Sequence, residues 1–109
     1  MDRDSIEIDV QTLARLREAS GPLTVLDVRE SWEVSHCALE DSLHIPMGEV
    51  PSRIGELPAE GALVVMCHHG MRSMQVTQFL HHMGYENARN LAGGIDAWAA
   101  EVDPAMPRY

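Results

Sequence analysis

Apolar and polar residues follow two different rhythms along the chain, and the change from one to the other marks out the predicted elements. "LTVLDV" (23–28) and "ALVVMC" (62–67) are unbroken β-branched and Leu-rich runs, the pattern of strands buried on both faces. "IEI" (6–8), "SLHIP" (42–46) and "ARNL" (88–91) predict three shorter strands, and Pro46 ends the second of them. Between these runs the spacing becomes helical. "VQTLARLREA" places Val10, Leu13 and Ala14 on one face and is stopped by Gly21-Pro22. After Gly70, the positions Val76, Phe79, Leu80 and Met83 recur at i, i+3, i+4 and i+7, with Gly84 as the natural stop. "GGIDAWAAEV" repeats the spacing with Ile95, Trp98, Ala99 and Val102. "RESWEVSH" predicts a short helix. "GEVPSRIGEL" predicts a broken helical segment, because Pro51 permits helix only from near its own position. The proline-broken "DPAMPRY" reads as an extended tail.

This alternation predicts an α/β fold: a central, mainly parallel five-stranded sheet with helices on both faces. No internal repeat, low-complexity tract or linker interrupts it. A chain of 109 residues suits one domain, here residues 5–109, with 1–4 as an N-terminal extension and 104–109 as the tail. In open parallel sheets ligands bind beyond the carboxyl ends of the strands. Cys67 stands at the carboxyl end of the best central-strand candidate.

Charge narrows the function classes. A formal net charge of −9 argues against nucleic acid or an anionic membrane as the main partner, since both need a basic face. A small anion answers to the local field instead. With two cysteines, Cys37 and Cys67, and no CxxC pair, there is no disulfide framework. The N-terminal "MDRDSIEIDV" lacks the pattern of a secretory signal, and the longest apolar run, 62–67, is far short of a membrane span. A cytoplasmic setting follows as the expectation, where a lone cysteine stays a thiol.

The chemistry concentrates in "CHHGMRS", residues 67–73. A strand ends, a tight loop follows and a helix begins near Met71. Backbone N–H groups in such a loop can converge into an anion-binding concavity, and the helix N-terminus adds free donors and partial positive charge. Gly70 supplies the left-handed geometry a tight loop needs. Arg72, with His68 and His69 in part, adds side-chain donors. Together these features should lower the Cys67 pKa and make a nucleophilic thiolate. The same cradle can hold an anionic substrate or a persulfide sulfur. The plainer reading is a buried core cysteine at a strand end.

The loop resembles the active-site loop of the rhodanese family, in which a cysteine is followed by four residues and an arginine, usually then Ser or Thr. "VLDVRE" (25–30) is similar to the family's Asp-Val-Arg strand end. Glu33 and His36 fall where the family has an acidic residue and then Gly-His-Ile, "LHIP" matches its next strand, and "NLAGGIDAW" (90–98) resembles its C-terminal Gly-Gly-x-x-x-Trp signature. The likeness runs over about residues 5–103. It implies sulfur transfer without a cofactor. Cys67 would take the outer sulfur of a small anionic donor such as thiosulfate as a persulfide and pass it to cyanide, a thiol or a protein acceptor. Backbone N–H groups from His68, His69, Gly70, Met71, Arg72 and Ser73 would stabilise the sulfur anion. Arg72 and Ser73 would hold the loop and its charge, while His68 and His69 would tune pH dependence and donor preference. The chain departs from the family at Ser35, which replaces the glycine, at Cys37 after His36, and at His68, where thiosulfate-using members often carry Arg or Lys.

Other readings compete. A non-enzymatic rhodanese module could act as a persulfide carrier or as a sulfide or stress sensor, although such modules often lack the cysteine. Fold-related phosphatases resemble Cys-x5-Arg, and the four-residue gap from Cys67 to Arg72 makes a smaller cradle. Six histidines invite a metal site, but the pairs among them, His68-His69 and His81-His82, are adjacent and do not share a face of a helix or strand, so no metal is expected. His81 and His82 read as neighbours of a helix C-terminus. Asp27 reads as a loop-organising acceptor at a strand end. Arg29 reads as a partner of Glu33 or as part of the pocket mouth, and both Asp27 and Arg29 are candidate pocket supports. Cys37 is a candidate resolving thiol, Met71 a candidate pocket wall, and Trp98 a core anchor.

Overall fold

The computed structural model describes residues 6–109, so the expected extension at 1–4 lies outside the described residues. Nine elements follow in chain order: β1 (Glu7–Ile8), α1 (Val10–Glu18), β2 (Leu23–Asp27), α2 (Ser31–His36), β3 (Leu43–His44), β4 (Ala62–Met66), α3 (Met71–His82), β5 (Ala88–Leu91) and α4 (Gly94–Glu101). The broken segment after Pro46 forms two short 3-10 turns, Met47–Glu49 and Pro51–Glu56, with Pro51 opening the second. The five strands pair in the order β1-β5-β4-β2-β3, and every pairing is parallel. Among the described residues no helix is long and apolar enough to cross a membrane.

The unbroken apolar run of β4 has a simple cause. Successive side chains point to opposite faces of the sheet, and both faces are covered. Leu63, Val65 and Cys67 join one core cluster with Val76 and Leu80 of α3 and with Val50 and Leu57 of the 3-10 region. Val64 and Met66 join the other, with Val10 and Leu13 of α1 and Ile95 and Trp98 of α4. Asp9 starts α1 by accepting the Thr12 N–H on its carboxylate at 2.8 Å. The predicted stripe on α3 is shorter than expected. Val76 and Leu80 are buried and Phe79 packs against them, but Met83 lies beyond the last turn and is 50% exposed. There the Met83 N–H bonds back to the Phe79 and Leu80 carbonyls, and Gly84 turns the chain away at φ +96°.

One junction places the loop after β4. At the N-terminus of α4 the N–H groups of Ile95 and Asp96 have no partner within their own helix. They donate instead to the carbonyls of Cys67 (2.9 Å) and His68 (3.1 Å). Gly94 lies directly beneath, at φ +60°, and a Cβ there would overlap those same two carbonyls. Gly94→Ala combines left-handed strain with a backbone overlap, and it is expected to lower the unfolding free energy by about 2–4 kcal/mol, read from urea melts. An unchanged midpoint would mean that the junction does not depend on the missing side chain.

Candidate active site

Cys67 is 1% exposed, with its sulfur at the carboxyl edge of the sheet between β4 and α3. Three donors converge on Sγ: the Gly70 N–H at 3.1 Å, the Ser73 N–H at 3.4 Å and the Ser73 hydroxyl at 3.3 Å. Gly70 reaches this position at φ +106°, in the left-handed region. Burial pushes the thiol pKa up. The Ser73 hydroxyl and the N–H groups of Ser73, Gly70 and His69 pull it down and prevail, leaving it below the ordinary value.

Ser73 is held in turn. Its hydroxyl lies 2.6 Å from Asn90 Oδ1, and the Asn90 amide donates to Glu7 at 2.9 Å and to the Gly70 carbonyl at 3.2 Å. The hydroxyl has one proton for two acceptors, sulfur and Asn90. A thiolate draws that proton more strongly than a thiol. Asn90, on β5, is a site residue that the sequence reading missed. It sits in a strand where nothing but its polarity on a buried face marks it.

Arg72 does not reach toward the sulfur. Both of its Nη atoms donate to the Glu33 carboxylate, at 2.8 and 2.7 Å. The Arg72 guanidinium holds Glu33 down at about 2, against the opposing effect of burial, with the Glu30 N–H and the Tyr109 hydroxyl adding to the pull. Glu33 therefore pairs with Arg72 and not with Arg29, which corrects the expected i, i+4 pair. Arg29 is fully buried and lies bidentate on Asp27, Nε at 2.9 Å and Nη2 at 2.7 Å. From Glu33 it takes only the backbone carbonyl, at 3.3 Å. Asp27 also accepts the Arg29 N–H, so it organises the strand end as expected.

The tail folds back over this cluster. Arg108 donates to both oxygens of Asp96 at 3.0 Å, and the Tyr109 hydroxyl donates to Glu33 at 3.0 Å while accepting from Arg29 at 2.9 Å. Burial is the main cause that pushes this hydroxyl up to about 12, which keeps it neutral. The Tyr109 ring lies flat on His68 (centroids 3.9 Å apart, 7° between planes). His68 stacks on His69 at 3.8 Å, and the His36 ring lies parallel to Tyr109 with centroids 5.6 Å apart. Tyr109 was also missed, because no periodicity in a proline-broken tail marks its last aromatic.

The stacking revises the argument about adjacent histidines. In a loop, unlike a helix or strand, neighbours can face one another. His68, His69 and Asp96 each bring one possible ligand atom within 4.8 Å of the others. Both Asp96 oxygens are engaged by Arg108 at 3.0 Å, and His69 Nε2 lies 3.9 Å from Asp96 Oδ2. His81 binds the Ala88 carbonyl at 2.7 Å. Cys37 is half-buried, its sulfur 4.0 Å from Arg29 Nη1. Met71 is 78% exposed at the start of α3, on the rim of an open depression with His69 and Gly70.

A model of the rhodanese-like domain matches residues 9–101. YtwF of Bacillus subtilis is 36% identical over 98 residues, covering 90% of this chain and 94% of YtwF. A sulfurtransferase of Allochromatium vinosum is 34% identical over 100 residues, 92% of this chain and 94% of its own length. Among solved structures, a rhodanese-related protein from Thermoplasma volcanium superposes with a TM-score of 0.81 at 32% identity, over 89% of this chain and 93% of that one.

The Glu33–Arg72 pair sets a pH dependence. A carboxyl lowered from about 4.5 to about 2 contributes stability above pH 4.5 and loses it as pH falls toward 2. Thermal melts from pH 6 to 2 should show the unaltered protein losing Tm more steeply below pH 4.5 than Glu33→Gln does. Parallel curves would contradict the pairing.

Proposed function

The chain belongs to the rhodanese family, and on that premise we propose that it is a sulfurtransferase that carries sulfane sulfur as a persulfide on Cys67. The observation that carries this reading is the convergence of Gly70 N–H, Ser73 N–H and Ser73 Oγ on one buried sulfur. Donors fixed in advance around a developing anion lower the barrier for reactions that place charge there.

With thiosulfate as donor, the Cys67 thiolate attacks the outer sulfur. The donor S–S bond breaks, its electron pair leaves with sulfite, and Cys67 holds a persulfide anion. Cyanide or a thiolate then attacks the terminal sulfur, and the electron pair of the persulfide bond returns to Cys67 as thiolate. The charge rests on sulfur at the start and end of each step, so one set of backbone donors serves both. Asp27 and Arg29, bound to each other at the end of β2, support the pocket. The acceptor is a small thiophile, a thiol or a protein thiol. The setting is cytoplasmic.

The test is incubation with thiosulfate or an alkyl persulfide, followed by intact-mass measurement and cyanide-dependent thiocyanate release. The expected result is a gain of one sulfur atom and turnover, both lost in Cys67→Ser. Mass gain without turnover would favour a persulfide carrier. Cys67-dependent hydrolysis of an aryl phosphate without sulfur gain would favour a phosphatase.

A further inference from the structure

Among the described residues, the arginines near the cradle are already paired. Arg72 lies on Glu33, Arg29 on Asp27 and Arg108 on Asp96. The remaining candidates for a cation there are His69, which is 62% exposed, and His68, which is next to the nucleophile and is held by the tail. Its ring is closed between Tyr109 and His69. Its Nε2 is buried with no hydrogen-bond partner. A protonated imidazole needs acceptors for both N–H groups, so a ring with one buried, partnerless nitrogen is disfavoured as a cation.

We propose that Tyr109 is a positioning residue that selects the sulfur donor: by stacking on His68 it withholds the cation at the position next to Cys67, so the cradle favours a singly charged persulfide over doubly charged thiosulfate. The inference rests on the sulfurtransferase reading and narrows its donor class. A ring of neutral N–H donors can balance one negative charge, whereas a dianion brought into the same space gains from a full positive charge. The preferred step is balanced. The Cys67 thiolate bonds to the outer sulfur of R–S–S⁻, and the donor S–S bond breaks with its electron pair on R–S⁻, which leaves and takes its proton from water. The products are Cys67–S–S⁻ and R–SH.

The groups facing His68 set its titration. Burial under the stack comes first and His69 second, and both lower its pKa. Asp96 of α4, the backbone of Tyr109 and Glu33 of α2 oppose them, and the lowering wins. Arg108 engages Asp96, and the Cys67 thiolate lies one residue away. Tyr109→Ala removes the covering ring and leaves the opposing backbone contact in place. Tyr109→Phe keeps the ring and removes only the bonds to Arg29 and Glu33.

The experiment has two readouts on the full chain. The first is an NMR pH titration of the His68 imidazole. The midpoint should rise in Tyr109→Ala and stay near the unaltered value in Tyr109→Phe. The second is kcat/KM for thiosulfate and for the persulfide of N-acetylcysteine methyl ester, from pH 5.5 to 8. In Tyr109→Ala, thiosulfate should gain about threefold to tenfold toward low pH, the effect of one added charge near the site. The persulfide should change less than about twofold on the same argument, and adding His68→Gln should abolish the thiosulfate gain. An unmoved His68 midpoint in Tyr109→Ala, or equal losses with both donors and no change in pH profile, would overturn the proposal and leave Tyr109 a packing residue. Absence of turnover with both donors in the unaltered protein would overturn the underlying sulfurtransferase reading, and the donor selection with it. The His68 titration would still report the clamp.

Discussion

The arrangement depends on two hydrogen bonds that do not touch the sulfur. Ile95 and Asp96, at the start of α4, hold the carbonyls of Cys67 and His68. Each peptide plane has its carbonyl and its N–H on opposite sides, so fixing the first peptides of the loop against α4 favours N–H groups that face the sulfur. This joins the two ends of the site. Gly94, the first residue of α4, lets that helix approach the loop closely, and Gly70 lets the loop turn within reach of Sγ. A helix N-terminus usually serves an anion directly. In this chain α4 serves it at one remove, by orienting the loop that does.

The acidic whole and the anion-favouring part do not conflict. A net charge of −9 is spread over the chain, while the sulfur responds to groups within a few ångströms. Those groups are backbone dipoles, which keep their orientation at any pH, and one hydroxyl, whose proton turns to the sulfur when it is charged. The nearby guanidiniums are bound to Glu33, Asp27 and Asp96, where they tie α2, β2 and α4 to the site and its tail. Tyr109 connects two of these pairs through its hydroxyl and His68 through its ring. The charged groups thus build the frame and the neutral ones hold the anion.

Much of this was legible in the sequence because it rests on local rules. The burial of 62–67 on both faces, the helical spacing after Gly70 and the strand at 88–91 follow from side-chain period and turn residues, and each element formed where its pattern lies. The cysteine, the glycine and the helix start made the cradle readable as well. Long-range partners were not readable. Arg72 and Glu33 are 39 positions apart, Ser73 and Asn90 are 17 apart, and Arg29 and Tyr109 are 80 apart. No periodicity encodes such pairs; they exist only once the parallel sheet brings β2, β4 and β5 side by side. Arg29 illustrates the error this produces. Glu33 was the nearest acid at helical spacing, but Asp27, at the end of β2, shares the buried space with it.

The central claim is that fixed N–H and O–H donors keep the Cys67 sulfur anionic despite its burial. The most direct measurement is the pH dependence of alkylation at Cys67, followed by mass in a Cys37→Ser background. The account predicts a midpoint below the value of a free cysteine, about 8.5, and an upward move in Ser73→Ala. A midpoint at or above that of a free thiol, unmoved by Ser73→Ala, would contradict it and leave Cys67 a buried core cysteine.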